Sequence, residues 1–125
     1  MPTILSIAVG AMLGALLRYG LAEAFNHLFP TLPLGTLAAN LLGGFLMGIC
    51  IAAFLAMPQV PITVRLAITT GFLGGLTTFS TFSAESFLFL QRSQYVAAGL
   101  HLIAHVLGAL TCVALGFFLG RLAFR

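Results

Sequence analysis

Residues 70–85 read TGFLGGLTTFSTFSAE, and this stretch decides the architecture. Gly71, Gly74 and Gly75 are followed by the β-branched pair Thr77-Thr78, then by Phe79-Ser80-Thr81-Phe82-Ser83-Ala84-Glu85. Gly and Thr are poor helix formers. Yet the stretch lies within an apolar run from about 62 to 90, long enough to cross a bilayer. A helix interrupted inside a membrane exposes carbonyls at one broken end and N–H groups at the other, tolerated only where protein, water or an ion satisfies them. Exposed carbonyls suit a hard cation, and N-terminal N–H groups suit an anion. A second reading stays open here: a Gly-rich packing surface whose Ser and Thr hydroxyls bond back to the preceding turn.

The rest of the chain agrees with a membrane setting. Of 125 residues, 61% are hydrophobic and 6% charged, with five Arg, no Lys and two Glu, and the mean hydropathy is +1.17. A soluble domain carries roughly a quarter charged residues and could not cover its surface with so few. Disorder is excluded by the lack of polar residues. A nucleic-acid partner is excluded by the lack of a basic face, since the pI near 9.5 comes from scattered Arg. Three further spans are predicted at about 3–25, 34–57 and 95–124, so residues 1–125 form a single all-α domain of four transmembrane helices, the third broken mid-membrane. The first span ends in Ala22-Glu23-Ala24, which mimics a signal cleavage site, but no positive region precedes it and it reads as a retained helix. Pro30 and Pro33 forbid a continuous helix into the second span. Cys50 and Cys112 fall mid-span and read as free, apolar thiols.

Each span carries one pair of glycines four apart: Gly10/Gly14, Gly44/Gly48, Gly71/Gly75 and Gly116/Gly120. Small residues at that spacing let helix backbones approach closely in lipid, so the four pairs predict a tight bundle. Four small helices leave no wide lumen, and transport of a polar solute would call for an oligomer. The Arg distribution is nearly balanced, with Arg65, Arg121 and Arg125 on one side and Arg92 and Arg18 on the other. Two readings follow: one fixed orientation, or a dual-topology chain that inserts both ways and pairs antiparallel.

Polar groups within spans are costly and therefore candidates for function. Asn40 lies one turn after Thr36, on a face continued by Gly43, Gly44 and Met47. It can be an interhelical hydrogen-bond staple or a ligand to a permeant species. Phe79 and Phe82, three apart, share one face beside Ser80, Thr81 and Ser83. Either they touch lipid, or their positive ring edges face an anion whose hydration the neighbouring hydroxyls replace. His101 and His105 are four apart, a spacing that could hold a metal, but no third ligand is evident nearby, and the preferred reading is a polar pair lining an internal path or simply satisfied histidines. Glu85 lies deep in the third span and Glu23 near the end of the first. No nucleophile–base pattern or phosphate loop occurs, so an enzyme is not expected.

At three places the sequence closely resembles the CrcB/Fluc family of fluoride channels: Gly10-Ala11-Met12-Leu13-Gly14-Ala15-Leu16-Leu17-Arg18-Tyr19, Pro33-Leu34-Gly35-Thr36-Leu37-Ala38-Ala39-Asn40, and the stretch 70–85. The resemblance covers essentially the whole chain. It implies an antiparallel, dual-topology homodimer in the bacterial inner membrane, surrounded by lipid, that exports fluoride passively through two narrow pores. It further implies that Phe79 and Phe82 present ring edges to fluoride and that Asn40 is the pore amide, with hydroxyls from Ser80, Thr81 and Thr36. Arg18 matches an arginine at a pore mouth, while Glu85 and His105 match a polar track. A structural sodium ion would be held at the dimer centre by the main-chain carbonyls of Gly74 and Thr77. Ala109 on the fourth span is apolar where members of the family sometimes carry a hydroxyl.

The rival reading is a small proton-coupled multidrug transporter, which is also four-span and dual-topology. It needs a membrane-embedded carboxylate, for which Glu23 is the candidate, and the chain has no Trp for a cation cage. A non-transporting assembly subunit is the third reading, and it gives the broken helix no use.

Overall fold

The computed structural model of the chain describes residues 1–29 and 31–125. Among them every regular element is helical: α1 (Pro2–Phe25), α2 (Leu34–Ala56), α3 (Ile62–Leu66), a π-helical segment (Ala67–Leu73), α4 (Gly74–Leu76), α5 (Phe79–Gln91) and α6 (Tyr95–Ala123). Among the described residues four spans are long and apolar enough to cross a membrane: α1, α2, α6 and the composite Ile62–Gln91. The third span is broken at Thr77-Thr78, as the Gly/Thr run predicts. Most large apolar side chains face outward, as a lipid-facing bundle requires.

Local chemistry sets the ends. Pro33 immediately precedes α2, while Pro30, the other expected helix breaker, lies outside the described residues. Asn26 caps α2 from beyond that turn, its Oδ1 accepting from the N–H groups of Gly35 (2.7 Å) and Thr36 (3.1 Å). Arg65 closes the other end of α2. Its guanidinium donates to the carbonyls of Met57 and Pro58 at 3.1 and 3.0 Å, from Nε to Val60 at 3.1 Å, and lies over the Phe54 ring. Ser93, at φ 58°, ends α5: the Gln94 N–H reaches back to the Phe89 carbonyl and Ser93's own to Leu90.

The glycine pairs form two seams. α1 packs along the π-helical segment and α4, and α2 packs along α6. A Cβ on Gly14 would strike the Phe72 carbonyl, and one on Gly75 the Ala11 carbonyl. Across the second seam, Gly48 faces the Val113 carbonyl and Gly116 the Phe45 carbonyl. Backbone-to-backbone contact at these positions replaces the hydrophobic effect that lipid does not supply. The small fully buried cluster Ala39, Leu73 and Leu76 fixes α2 against the broken span.

Candidate functional site

The break is built by an exchange of hydrogen bonds. In a continuous helix the Thr78 N–H would serve the Gly74 carbonyl, and the Thr81 N–H that of Thr77. Here Thr78 N–H donates to Asn40 Oδ1 at 2.8 Å, and Thr81 N–H to Thr78 Oγ1 at 3.1 Å. Asn40 Nδ2 donates in return to the Thr78 carbonyl at 3.1 Å, so a single amide holds both polar groups of one extended residue. Thr77 and Thr78 have φ,ψ of −85°,154° and −148°,124°, and the Thr78 side chain is the N-cap of α5.

The carbonyls that end α4 are handled one by one. That of Leu73 accepts from Thr77 N–H (3.0 Å) and Thr77 Oγ1 (2.8 Å), and that of Gly75 from Arg18 Nε at 3.0 Å. Gly74 and Thr77 have surrendered their helical donors to Asn40 and Thr78, and both line a cavity of about 430 Å³. Asn40, Thr78, Phe79, Phe82 and His105 line the same cavity, with Gly43, Gly44 and Met47 of the predicted α2 face.

The aromatic pair divides unequally. Phe82 is 6% exposed and Phe79 is 79% exposed, their centroids 5.7 Å apart and their planes at 57°. Phe82 is wedged against two imidazoles, 5.2 Å from His101 and 4.7 Å from His105. Asn40 Nδ2 also lies 3.0 Å from His105 Nδ1. One layer deeper, Thr36 Oγ1 donates to Glu85 Oε1 at 2.8 Å, and Glu85 Oε2 lies 3.3 Å from His101 Nε2.

The chain therefore brings Asn40, Phe79, Phe82, Gly74, Thr77 and His105 to one cavity and places Thr36 and Glu85 behind it. Ser80 is exposed with its hydroxyl 3.3 Å from Thr78 Oγ1, and Thr81 contributes its N–H to the Thr78 cap. Arg18 lies on the α1 side of the break, bound to the Gly75 carbonyl. Glu23 is exposed on α1, so the acidic side chain that enters the bundle's polar interior is Glu85. One expectation is corrected. The His101/His105 pair does have a third candidate ligand, because Glu85 crosses from α5 to within 4.8 Å. Spacing along α6 could not reveal a partner on another helix. Thr78 is the second residue that the sequence does not single out: nothing in the Thr77-Thr78 run distinguishes the capping residue except its place three before Thr81.

These features define a multi-pass membrane protein with a span interrupted around a polar, aromatic-lined cavity. The family model for "CrcB-like protein, Camphor Resistance (CrcB)" matches residues 5–117, and the chain belongs to that family. Relatives named fluoride-specific ion channel FluC include one from Pectobacterium carotovorum, 50% identical over 117 residues covering 94% of this chain and 92% of the relative. One from Tolumonas auensis is 52% identical, covering 91% of this chain and 90% of the relative. One from Escherichia coli O1:K1 is 44% identical, covering 98% and 97%. The family is thus one of ion channels and not of enzymes.

Proposed function

We propose that this chain is a fluoride-selective channel that lets fluoride leave the bacterial cytoplasm passively, lowering its toxicity, and that it works in the inner membrane as an antiparallel, dual-topology homodimer with two pores. The observation that carries the reading is the cavity where the Asn40 amide, the Phe79 and Phe82 rings and the His105 imidazole converge at the break. Fluoride is small and strongly hydrated, so a dehydrating route must return many hydrogen bonds. Amide, hydroxyl and ring-edge donors do so without the fixed positive charge that would trap the ion. Phe79 is exposed in the single chain and Gly74 opens to the same side, which supports a second copy covering this face.

The same face suits a sodium ion at the dimer centre. The Gly74 and Thr77 carbonyls, relieved of helical donors, are hard oxygen ligands, and two from each subunit would hold it. When bound, sodium supplies a fixed cationic tie between the two breaks. Arg18, held on the Gly75 carbonyl, adds positive potential beside the break and raises local anion concentration.

The test is fluoride efflux from liposomes bearing the purified protein, followed with a fluoride electrode, with chloride-loaded vesicles in parallel. Rapid fluoride release without chloride release, lost in Phe82→Ile and in Asn40→Asp, is the expected result. Absence of fluoride release from verified dimeric protein overturns the channel reading, and equal chloride release overturns the selectivity argument.

A further inference from the structure

Behind the cavity, Glu85, His101 and His105 each bring a ligand atom to within 4.8 Å of the others. His101 is fully buried and His105 is 4% exposed. Four atoms here make no well-directed hydrogen bond: Glu85 Oε2, both His101 ring nitrogens and His105 Nε2, with Glu85 Oε2 and His101 Nε2 facing each other at 3.3 Å. Buried polar atoms rarely go unsatisfied, and four converging at one place mark a site for something polar.

We propose that this cluster binds a divalent transition-metal cation of the zinc class, and that the metal shuts the anion route by displacing the Asn40 clamp. The second half rests on the fluoride reading above; the first does not.

The donor set chooses the metal. Two imidazoles and a carboxylate suit zinc, cobalt, nickel or copper, whereas sodium, magnesium and calcium prefer all-oxygen shells. Three protein ligands leave one position open for water. The carboxylate is already oriented, since Thr36 Oγ1 holds Oε1 and leaves Oε2 turned toward His101. Ligands around a tetrahedral zinc lie about 3.4 Å apart, so the widest pair must contract, which imidazole rotation can supply. His105 lines the cavity and gives the ion its way in.

Tautomers supply the coupling. Thr78 N–H on Oδ1 and the Thr78 carbonyl on Nδ2 fix which way the Asn40 amide points. Nδ2 therefore donates to His105 Nδ1, and the neutral ring carries its proton on Nε2. A metal taking Nε2 requires that proton to move, through solvent, to Nδ1. Nδ1–H then faces the N–H of Asn40, donor against donor. The conflict is relieved if the amide turns over and offers Oδ1 to His105, which takes Oδ1 from Thr78 N–H. Metal binding and the clamp at the break thus compete for one amide.

Cobalt is the probe, because its visible d–d absorption reports low-coordinate nitrogen/oxygen ligation without reference to conduction. Titration of detergent-purified protein with Co²⁺ should give an intense band saturating at one ion per chain and removed by Zn²⁺. The band should be lost in His101→Gln, and Thr36→Val should weaken affinity about tenfold. In liposomes Zn²⁺ should abolish most fluoride efflux from the unmodified protein. It should leave His101→Gln at its own metal-free rate. Should His101→Gln fail to assemble, Glu85→Gln serves in its place. No d–d band in the unmodified protein, or an equal band in both variants, overturns the site. A saturable band with undiminished efflux overturns the coupling to Asn40. A band from protein that releases no fluoride at all leaves the metal site standing and sinks the channel reading instead.

Discussion

Replacing Asn40 with Leu keeps the side chain's size and removes three hydrogen bonds: two to Thr78 at 2.8 and 3.1 Å and one to His105 at 3.0 Å. Interhelical hydrogen bonds in membranes are worth about 0.6 kcal/mol each on average, so the clamp contributes about 1.8 kcal/mol, or about 20-fold in the population of the broken geometry. The freed Thr78 N–H has an obvious alternative partner in the Gly74 carbonyl, four residues back, so the penalty is relieved by winding α4 onward across Thr77. That shift would re-aim Phe79 and Phe82 and consume the Gly74 carbonyl proposed as a sodium ligand. Fluoride efflux per reconstituted dimer should therefore fall about 20-fold or more, while the protein still extracts and runs as a folded species, because the glycine seams lie elsewhere. The assay is electrode-monitored efflux at matched dimer density. An Asn40→Leu protein conducting within threefold of the unmodified one would refute the claim that this amide maintains the break.

Two further outcomes concern stability, read as thermal unfolding in detergent. Gly14→Ala, whose Cβ would strike the Phe72 carbonyl, should destabilise by about 1–3 kcal/mol, whereas Gly20→Ala and Gly99→Ala, with open space around the added Cβ, should stabilise by up to about 1 kcal/mol. Ser93→Gly, at φ 58°, should raise the melting temperature through relief of about 1 kcal/mol of left-handed strain, and an unchanged or lower value would contradict the turn geometry.

How much could be read in advance follows from what a sequence encodes locally. The spans, the break and the glycine seams depend on composition and short spacings, and each is where residues 70–85 and the paired glycines place it. Asn40 stood out because an amide in an apolar run needs a partner, but its partner, the backbone of Thr78, could not be named. Helical spacing relates residues on one face of one helix; it carries no information about rotation or register against a neighbour. For that reason Glu85 and the two histidines look unrelated along the chain, though the fold gathers them within 4.8 Å. Asn26 is hidden as a cap for the same reason, since it reaches α2 across a turn rather than from the position next to it.

The π-helical segment solves a problem of phase. Its Gly74 N–H reaches the carbonyl of Thr69, five residues earlier, so the segment absorbs one residue more than α-helical winding would. Thr63, before it, meets Thr3 on α1, and Gly75, after it, meets Ala11 on the same helix. Twelve residues of α-helix advance about 1,200°, which would leave Thr63 and Gly75 about 120° apart around the axis. With one residue absorbed the offset falls to about 20°, and both can face α1. Winding 67–73 as ordinary α-helix with all seven residues kept would rotate the second half of the span by about 100°, turning Gly75 off the seam and Phe82 off the histidines, whereas deleting one of the seven would remove the surplus residue and keep the phase. The phase of the break is thus set by a single inserted residue, a full turn upstream of it.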